Sequence, residues 1–164
     1  MVALNEKYMR FSQSKASEGL MNLVETTLLP GIRVYRFGSS NRPDRWFAAP
    51  WWLSFSPFEA LKQYASVRKQ SLPLTARQCL AIEWGWSKLD VLIETVVKQR
   101  LLAWSGTPKT QVLKWGTTHL GRLRPERNIT QLYIPGLDEA DSSRSGHAIW
   151  KDAFVAPRPL FLIA

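Results

Sequence analysis

The residues best suited to chemistry lie in one segment, where arginines alternate with aromatic and small polar side chains. Arg36 ends a Tyr-Arg pair, and Arg45 precedes Trp46 a little further along the chain. A guanidinium suits a phosphate or pyrophosphate because its planar fork donates in parallel to two oxygens. A solvated strand face explains Arg36 equally well and Arg33 better, since alternation places these two side chains on opposite faces of a strand.

The second group is the run Trp-Trp-Leu-Ser-Phe-Ser at residues 51–56. Its aromatic rings are able to stack against a planar ligand, and its two serines to hydrogen-bond one. Ser54 has a plain alternative as a polar edge residue. Ser56 has a stronger one as a helix N-cap, because Pro57 suits the first helical position and Glu59 completes a capping box.

The elements that position these residues follow the order strand, loop, strand, helix. Residues 32–37 alternate apolar and polar side chains and predict a strand. Turn residues fill 38–44, and 51–55 predicts a second, largely buried strand. A helix is expected from 57 to about 70. One arginine therefore lies on the first strand, and two serines lie at the end of the second.

This order of motifs resembles the ADP-ribosyltransferase superfamily, and within it the arginine–serine–glutamate branch, whose enzymes split NAD and pass ADP-ribose to an acceptor. The resemblance implies that Arg36 holds the NAD phosphates and that Ser54 and Ser56 shape the nicotinamide pocket. In that family the catalytic glutamate lies shortly before an apolar-Pro step. The matching segment, 130–135, has Gln131 at that position.

The glutamine leaves three explanations open. Glu83 or Glu94 supplies the carboxylate, or a glutamine variant works more slowly or only as an NAD hydrolase, or the fold is kept without the activity. The Arg-Trp and Ser-Phe-Ser motifs are also similar to RES toxin domains, which share the fold, degrade NAD and rely less on that glutamate. The resemblance implies the catalytic residues Arg36, Gln131 and Glu83 and the NAD-binding residues Arg36, Arg45, Trp52, Ser54, Phe55 and Ser56.

The fold implied by the resemblance is α+β, with a central split β-sheet of ADP-ribosyltransferase type and flanking helices. The 164 residues are expected to form a single domain, 1–164, with an N-terminal helix over 12–27 and a core over 31–164. The helix prediction rests on apolar residues that recur at spacings of three and four.

Further along, residues 71–76 predict a loop and residues 78–84 a strand with a buried Cys79. A capping box at 87–90 introduces a predicted helix that continues to about 101 and stops at 105–108. Residues 128–134 and 159–163 predict two further strands.

The charge of the chain points to anionic partners. The 22 Lys and Arg against 13 Asp and Glu give a formal charge of +9, which attracts polyanions. In the most basic stretch, 109–127, aromatic residues interleave with cations, as for base stacking between phosphate contacts; a solvated basic loop is the alternative. The predicted nucleic-acid-binding residues are Lys109, Lys114, Trp115, Arg122, Arg124 and Arg127.

Several classes are excluded by composition and motifs. Cys79 is the sole cysteine, so no internal disulfide and no multi-cysteine metal site is possible, and no metal is expected. No apolar run is long enough to span a membrane. The chain lacks a Gly-rich phosphate loop, an HExxH motif, a nucleophile elbow and a Rossmann signature, which removes the common hydrolases and dehydrogenases.

The working hypothesis is a mono-ADP-ribosyltransferase-like toxin domain, as in a bacterial effector, that cleaves NAD and modifies an anionic acceptor such as RNA, or a protein. Its expected partners are NAD, that acceptor and an acidic immunity protein. It would act in the cytoplasm of the target cell, delivered within a larger secreted polypeptide. The alternatives are an NAD-degrading RES-like toxin and, from another class, a non-catalytic basic nucleic-acid-binding module.

Overall fold

An antiparallel β-sheet forms the centre of the molecule in the computed structural model, which describes residues 2–82, 87–115, 118–141, 147–155 and 158–162. The strands are β1 (Leu20–Leu28), β2 (Arg33–Gly38), β3 (Trp51–Ser54), β4 (Val91–Val96), β5 (Leu101–Pro108), β6 (Gln111–Trp115), β7 (Thr118–Leu123), β8 (Gln131–Tyr133), β9 (Ala140–Asp141), β10 (His147–Ala148) and β11 (Arg158–Phe161). The helices are α1 (Glu6–Met9), α2 (Gln13–Gly19), α3 (Phe55–Arg68), α4 (Leu72–Leu80) and α5 (Trp150–Ala153), with a 3-10 turn at Pro43–Arg45. The predicted α+β class is confirmed.

The short strand β3 joins the two halves of this sheet. The strand order is β1-β5-β8-β3-β2-β4-β11, and every neighbouring pair is antiparallel. The first half of β3 pairs with β8, through Trp51 and Trp52. Its second half pairs with β2, where Tyr35 faces Leu53. The next residue of β2, Arg36, pairs with β4 alone, so a gap opens between β2 and β3 at this arginine.

Apolar clusters cover both faces of the sheet. Val34 and Trp52 belong to one cluster, and their chain neighbours Tyr35 and Leu53 belong to the other, as strand alternation requires. The second cluster is completed by α3 and α4, with Phe58 stacked on Tyr35 at a centroid distance of 4.0 Å. This packing fixes β2 and β3 on either side of the gap.

The predicted helix over 12–27 is wrong beyond residue 19. Helix α2 ends at Gly19, and β1 begins at Leu20 and pairs with β5. The β-branched residues in 24–27 suit a strand, and the pairing with β5 prevails over the helical spacing of the apolar side chains. Gly19 permits the change from helix to strand at this point. The backbone passes so close to Trp51 that a Cβ at residue 19 would lie 2.7 Å from its ring.

The loop predicted at 71–76 and the strand predicted from 78 are also wrong, since α4 spans Leu72–Leu80. Ser71 caps this helix, accepting a hydrogen bond from the Leu74 N–H at 3.3 Å, and Pro73 lies in its first turn. These are ordinary helix-start residues. Cys79 is buried, as predicted, but it lies on a helix.

The predicted helix from 89 to 101 is replaced by β4 and the start of β5. Residues 91–93 are all buried, so β4 reads as a continuous apolar run without the alternation that identifies a half-exposed strand. Predicted strands at 32–37, 51–55, 128–134 and 159–163 correspond to β2, β3, β8 and β11. None of the described helices has the length and apolar character needed to cross a membrane.

Candidate functional site

A cleft of two adjoining chambers lies at the gap between β2 and β3. The charged chamber has a volume of about 520 Å³. Its ionisable lining residues are Lys15, Glu18, Arg36, Arg42, Arg45, Tyr133 and Asp138. The apolar chamber, of about 440 Å³, is lined by side chains such as Phe37, Leu80 and Leu89. Both chambers are bordered by the same four residues, here termed the waist: Glu18, Arg36, Trp51 and Ser87.

Arg36 is the cation of the waist, and its hydrogen-bonding capacity is only partly used. Its Nη1 donates to the carbonyl of Trp51 at 3.0 Å, whereas its Nε is buried and has no hydrogen-bond partner within the described ranges. Burial, with the nearby charge of Arg45, lowers the pKa of Arg36 to about 10. A buried cation without a counter-ion is unfavourable, so this site is suited to an anionic ligand.

A second arginine and a well-anchored loop complete the charged chamber. Arg45 forms no ion pair with the rest of the described chain, whereas Arg42 pairs with Asp44 at 3.1 Å on the surface. Asp90 fixes the loop that precedes them, accepting from the backbone N–H of Ser40 at 2.8 Å and from its hydroxyl at 2.6 Å. Partial burial opposes ionisation of Asp90, but the Ser40 hydrogen bonds lower its pKa overall. The loop therefore presents Arg45 beside Arg36.

Trp51 provides an aromatic wall that both chambers share. Its ring is half-buried, meets the ring of Tyr133 edge-on at 4.8 Å, and lies against the backbone of Gly19. Burial, and then the charges of Asp138 and Glu18, raise the pKa of Tyr133. The phenol therefore stays neutral. Trp51 is partly exposed and lines both chambers, where an aromatic side chain suits a planar ring.

Several predicted NAD-binding residues lie away from this cleft. Trp52 is buried in the core, where its Nε1 donates to the carbonyl of Ala49 at 2.8 Å. Phe55 and Ser56 lie on the exposed surface of α3, beside Glu59. Helix α3 follows β3 without a loop, so both side chains are carried away from Arg36.

Ser54, rather than Ser56, occupies the N-cap position of α3, so the predicted cap at Ser56 is wrong. The side chain of Ser54 makes no capping hydrogen bond. Its backbone faces Val34 of β2, and it is not among the residues that line the chambers in the described structure.

The predicted catalytic residues separate into two groups. Gln131 is buried on β8 and lines the apolar chamber together with Arg36, and its amide makes no hydrogen bond to the described residues. Glu83 lies outside the described residues. Glu94 pairs with Arg33 at 3.4 Å on the surface and lines neither chamber.

Glu18 is the carboxylate that the structure brings to the waist, and the sequence interpretation missed it. Glu18 is exposed and lies in the last turn of the short helix α2, directly before Gly19. No motif marks such a position. The only available signal was the glycine itself, which ends α2 at a close contact with Trp51.

The predicted nucleic-acid-binding residues are divided between three places. Strands β6 and β7 pair only with each other among the described strands and form a hairpin, with Arg122 on β7 and Arg124 just beyond it, both exposed. The side chains of Lys114 and Trp115 lie outside the described structure. Arg127 lies over the ring of Tyr64, 5.0 Å from its centroid.

Lys109 points away from the hairpin surface, because its Nζ donates to the carbonyl of Ser17 in α2.

A scan against models of known protein families finds no match to this chain, and a search of curated proteins finds no significant relative. Function is therefore inferred from the geometry of the cleft and the chemistry of its residues.

Proposed function

We propose that this protein is an NAD-cleaving enzyme of ADP-ribosyltransferase type, with its site at the waist of the cleft. The observation that carries the proposal is the partly buried Arg36 guanidinium, whose Nε has no partner in the described structure and which forms an ion pair with no described carboxylate. Together with Arg45 it offers two positive charges to a ligand that carries two negative ones. The pyrophosphate of NAD has that charge and the matching oxygen geometry.

The division of the cleft matches the two chemical parts of the substrate. The charged chamber takes the pyrophosphate near Arg36 and Arg45. The nicotinamide ring enters the apolar chamber and stacks on Trp51, where the amide of Gln131 reaches a ribose hydroxyl or the carboxamide. The scissile bond between the nicotinamide nitrogen and ribose C1′ then lies at the waist.

The reaction is a heterolytic substitution at C1′. The electron pair of the C1′–N bond leaves with nicotinamide, whose positively charged ring becomes neutral, and C1′ acquires oxocarbenium character. A nucleophilic oxygen attacks C1′ and releases a proton to solvent. With water as the nucleophile, the products are nicotinamide, ADP-ribose and a proton. The protein contributes by fixing the phosphates and the ring, so that the charge that develops at C1′ meets a preorganised site.

An anionic macromolecule such as RNA is the acceptor that the surface favours. Gln111 begins the β6–β7 hairpin and also lines the apolar chamber, so the hairpin that carries the exposed Arg122 adjoins the cleft. Phosphates held there would bring a sugar or base hydroxyl or amine to C1′. Hydrolysis by water, as in RES-like toxins, is the alternative outcome of the same bond cleavage.

The test is nicotinamide release from NAD by the purified protein, followed by chromatography with and without RNA. Arg36→Met is expected to lower release by about 10²–10³-fold, because a preorganised charge at the site is lost. Arg33→Met is the matched control, since Arg33 lies on the same strand but pairs with Glu94 on the surface. The control should keep wild-type activity. Absence of release by the wild-type protein under all conditions would refute the proposal.

The exposed arginines of the hairpin also support a second candidate, a non-catalytic nucleic-acid-binding module. In that case RNA binding weakens steeply with salt and requires Arg122 and Arg124, whereas NAD is not consumed. Replacement of Arg36 then leaves RNA affinity unchanged. The two functions are therefore separated by the NAD assay and a salt titration of RNA binding.

A further inference from the structure

We infer that Glu18 provides the carboxylate that stabilises the positive charge at ribose C1′, in place of the glutamate that is absent at Gln131. This inference rests on the proposed function. It places a catalytic residue at the end of the N-terminal helix α2, rather than on the strand β8 that carries Gln131.

The position of Glu18 is the first argument. It borders both chambers, together with Arg36 and Trp51, whereas Asp138 borders the charged chamber alone. A carboxylate at the waist is close to the bond that joins the two parts of NAD. Arg36, on the same border, would bind the phosphate at one end of the ribose, and Glu18 would face C1′ at the other end.

The second argument is that the Glu18 carboxylate is not used for stability. It makes no hydrogen bond or ion pair with any other described residue, although Arg36 and Lys15 line the same chamber. Its charge contributes to the raised pKa of Tyr133, which places it within electrostatic reach of the aromatic wall. The carboxylate is therefore free to face a ligand.

The third argument is that the backbone on both sides of Glu18 is held in place. Lys109 donates from its backbone N–H to the carbonyl of Gly19 at 2.8 Å and from its Nζ to the carbonyl of Ser17. Gly19 also packs so closely on Trp51 that a Cβ would approach the ring to 2.7 Å. These contacts fix the backbone that carries Glu18 before the substrate binds.

The experiment compares Glu18→Gln with wild-type protein in two assays, nicotinamide release and calorimetric binding of ADP-ribose. We expect release to fall by about 10²–10³-fold, while ADP-ribose affinity stays within about threefold, because the charge acts on the transition state rather than on the bound ground state. Glu25→Gln is the control, since Glu25 is an exposed carboxylate on the neighbouring strand β1. It should leave both quantities unchanged.

A rescue experiment separates catalysis from a structural effect. Formate should restore part of the release by Glu18→Ala, because a small carboxylate can occupy the space of the missing side chain. Release by Glu18→Gln at the wild-type rate would overturn the inference alone. No release by the wild-type protein would overturn the proposed function, and this inference with it.

Discussion

Replacing Arg36 by methionine should abolish ligand binding without lowering the stability of the unliganded protein. The folded protein keeps this guanidinium charged in a partly buried position, which lowers its pKa to about 10. A lowered pKa means that the charged form is less stable in the folded than in the unfolded chain. The full penalty applies at every pH below about 10 and disappears only as the pH rises through the higher pKa of an arginine in the unfolded chain.

The magnitude follows from the pKa and from one hydrogen bond. The lowering of the Arg36 pKa to about 10 corresponds to about 3 kcal/mol, which methionine, of similar length and uncharged, would recover. Against this, the Trp51 carbonyl loses its donor at 3.0 Å, at a cost of about 1–3 kcal/mol. The unliganded Arg36→Met protein should therefore be as stable as wild type or up to about 2 kcal/mol more stable. In a chain of this length that is a rise in Tm of zero to about 8 °C.

The assay is thermal unfolding with and without ADP-ribose. At a ligand concentration of about 100 times Kd, wild-type protein gains about 2.7 kcal/mol, or roughly 5–10 °C in Tm. Arg36→Met should show no such shift. Equal or higher stability combined with lost ligand response is the signature of a residue retained for binding.

Arg77 is the matched control because it is also a buried arginine, but one whose donors are satisfied. It donates to the carbonyls of Ile82 at 3.2 Å and Ser87 at 2.7 Å. Burial also lowers the pKa of Arg77, but its replacement leaves two carbonyls without their donor, so Arg77→Met should lower stability by about 1–3 kcal/mol. The reasoning is refuted if Arg36→Met destabilises the unliganded protein as strongly as Arg77→Met does.

Three other predictions concern the framework of the site. Asp90→Ala should lower stability by about 1–3 kcal/mol at neutral pH, because the Ser40 N–H and hydroxyl lose their acceptor. Since the pKa of Asp90 is lowered in the folded state, urea titrations should show this difference shrinking as the pH falls below 3.8. Gly106→Ala should cost about 1–3 kcal/mol by chemical denaturation, because its Cβ would lie 2.7 Å from the Met21 carbonyl oxygen; an unchanged midpoint would argue against the β1–β5 packing. Cys79, buried and with its pKa raised to about 11, should resist thiol reagents until the protein unfolds, and rapid labelling of native protein would contradict its placement.

The strand–loop–strand–helix order around Arg36 was predictable because it depends on local signals. Each signal is contained in a short segment: the alternation at 32–37, the turn residues at 38–44 and the abrupt helix start. Local signals also gave the wrong assignment for the residues of β1 and β4, which were predicted to be helical. Strand β4 is buried on both faces and so loses alternation, and the apolar spacing in β1 matches a helix until its pairing with β5 is known.

The composition of the cleft was less predictable because it depends on which distant elements meet. Arg36, Arg45 and Gln131 were singled out from sequence, and the structure places all three along the two chambers. Glu18 could not be found, since long-range contacts of Gly19 and Ser17 with Trp51 and Lys109 bring the end of α2 to the waist.

The two adjacent tryptophans of β3 show that a shift of one residue decides whether a side chain lines the cleft or packs in the core. Trp51 and Trp52 are equivalent in the sequence, but β3 turns one ring into the cleft and the other into the core, against Phe154. Sequence alone does not specify which of the two faces the core.

The most direct test of the central claim is a crystal structure with ADP-ribose bound. We predict a pyrophosphate oxygen about 3 Å from a guanidinium nitrogen of Arg36, with the second phosphate near Arg45. Density for the ligand on the exposed hairpin or on the surface of α3, with Arg36 left unliganded, would contradict the assignment of the cleft as the NAD site.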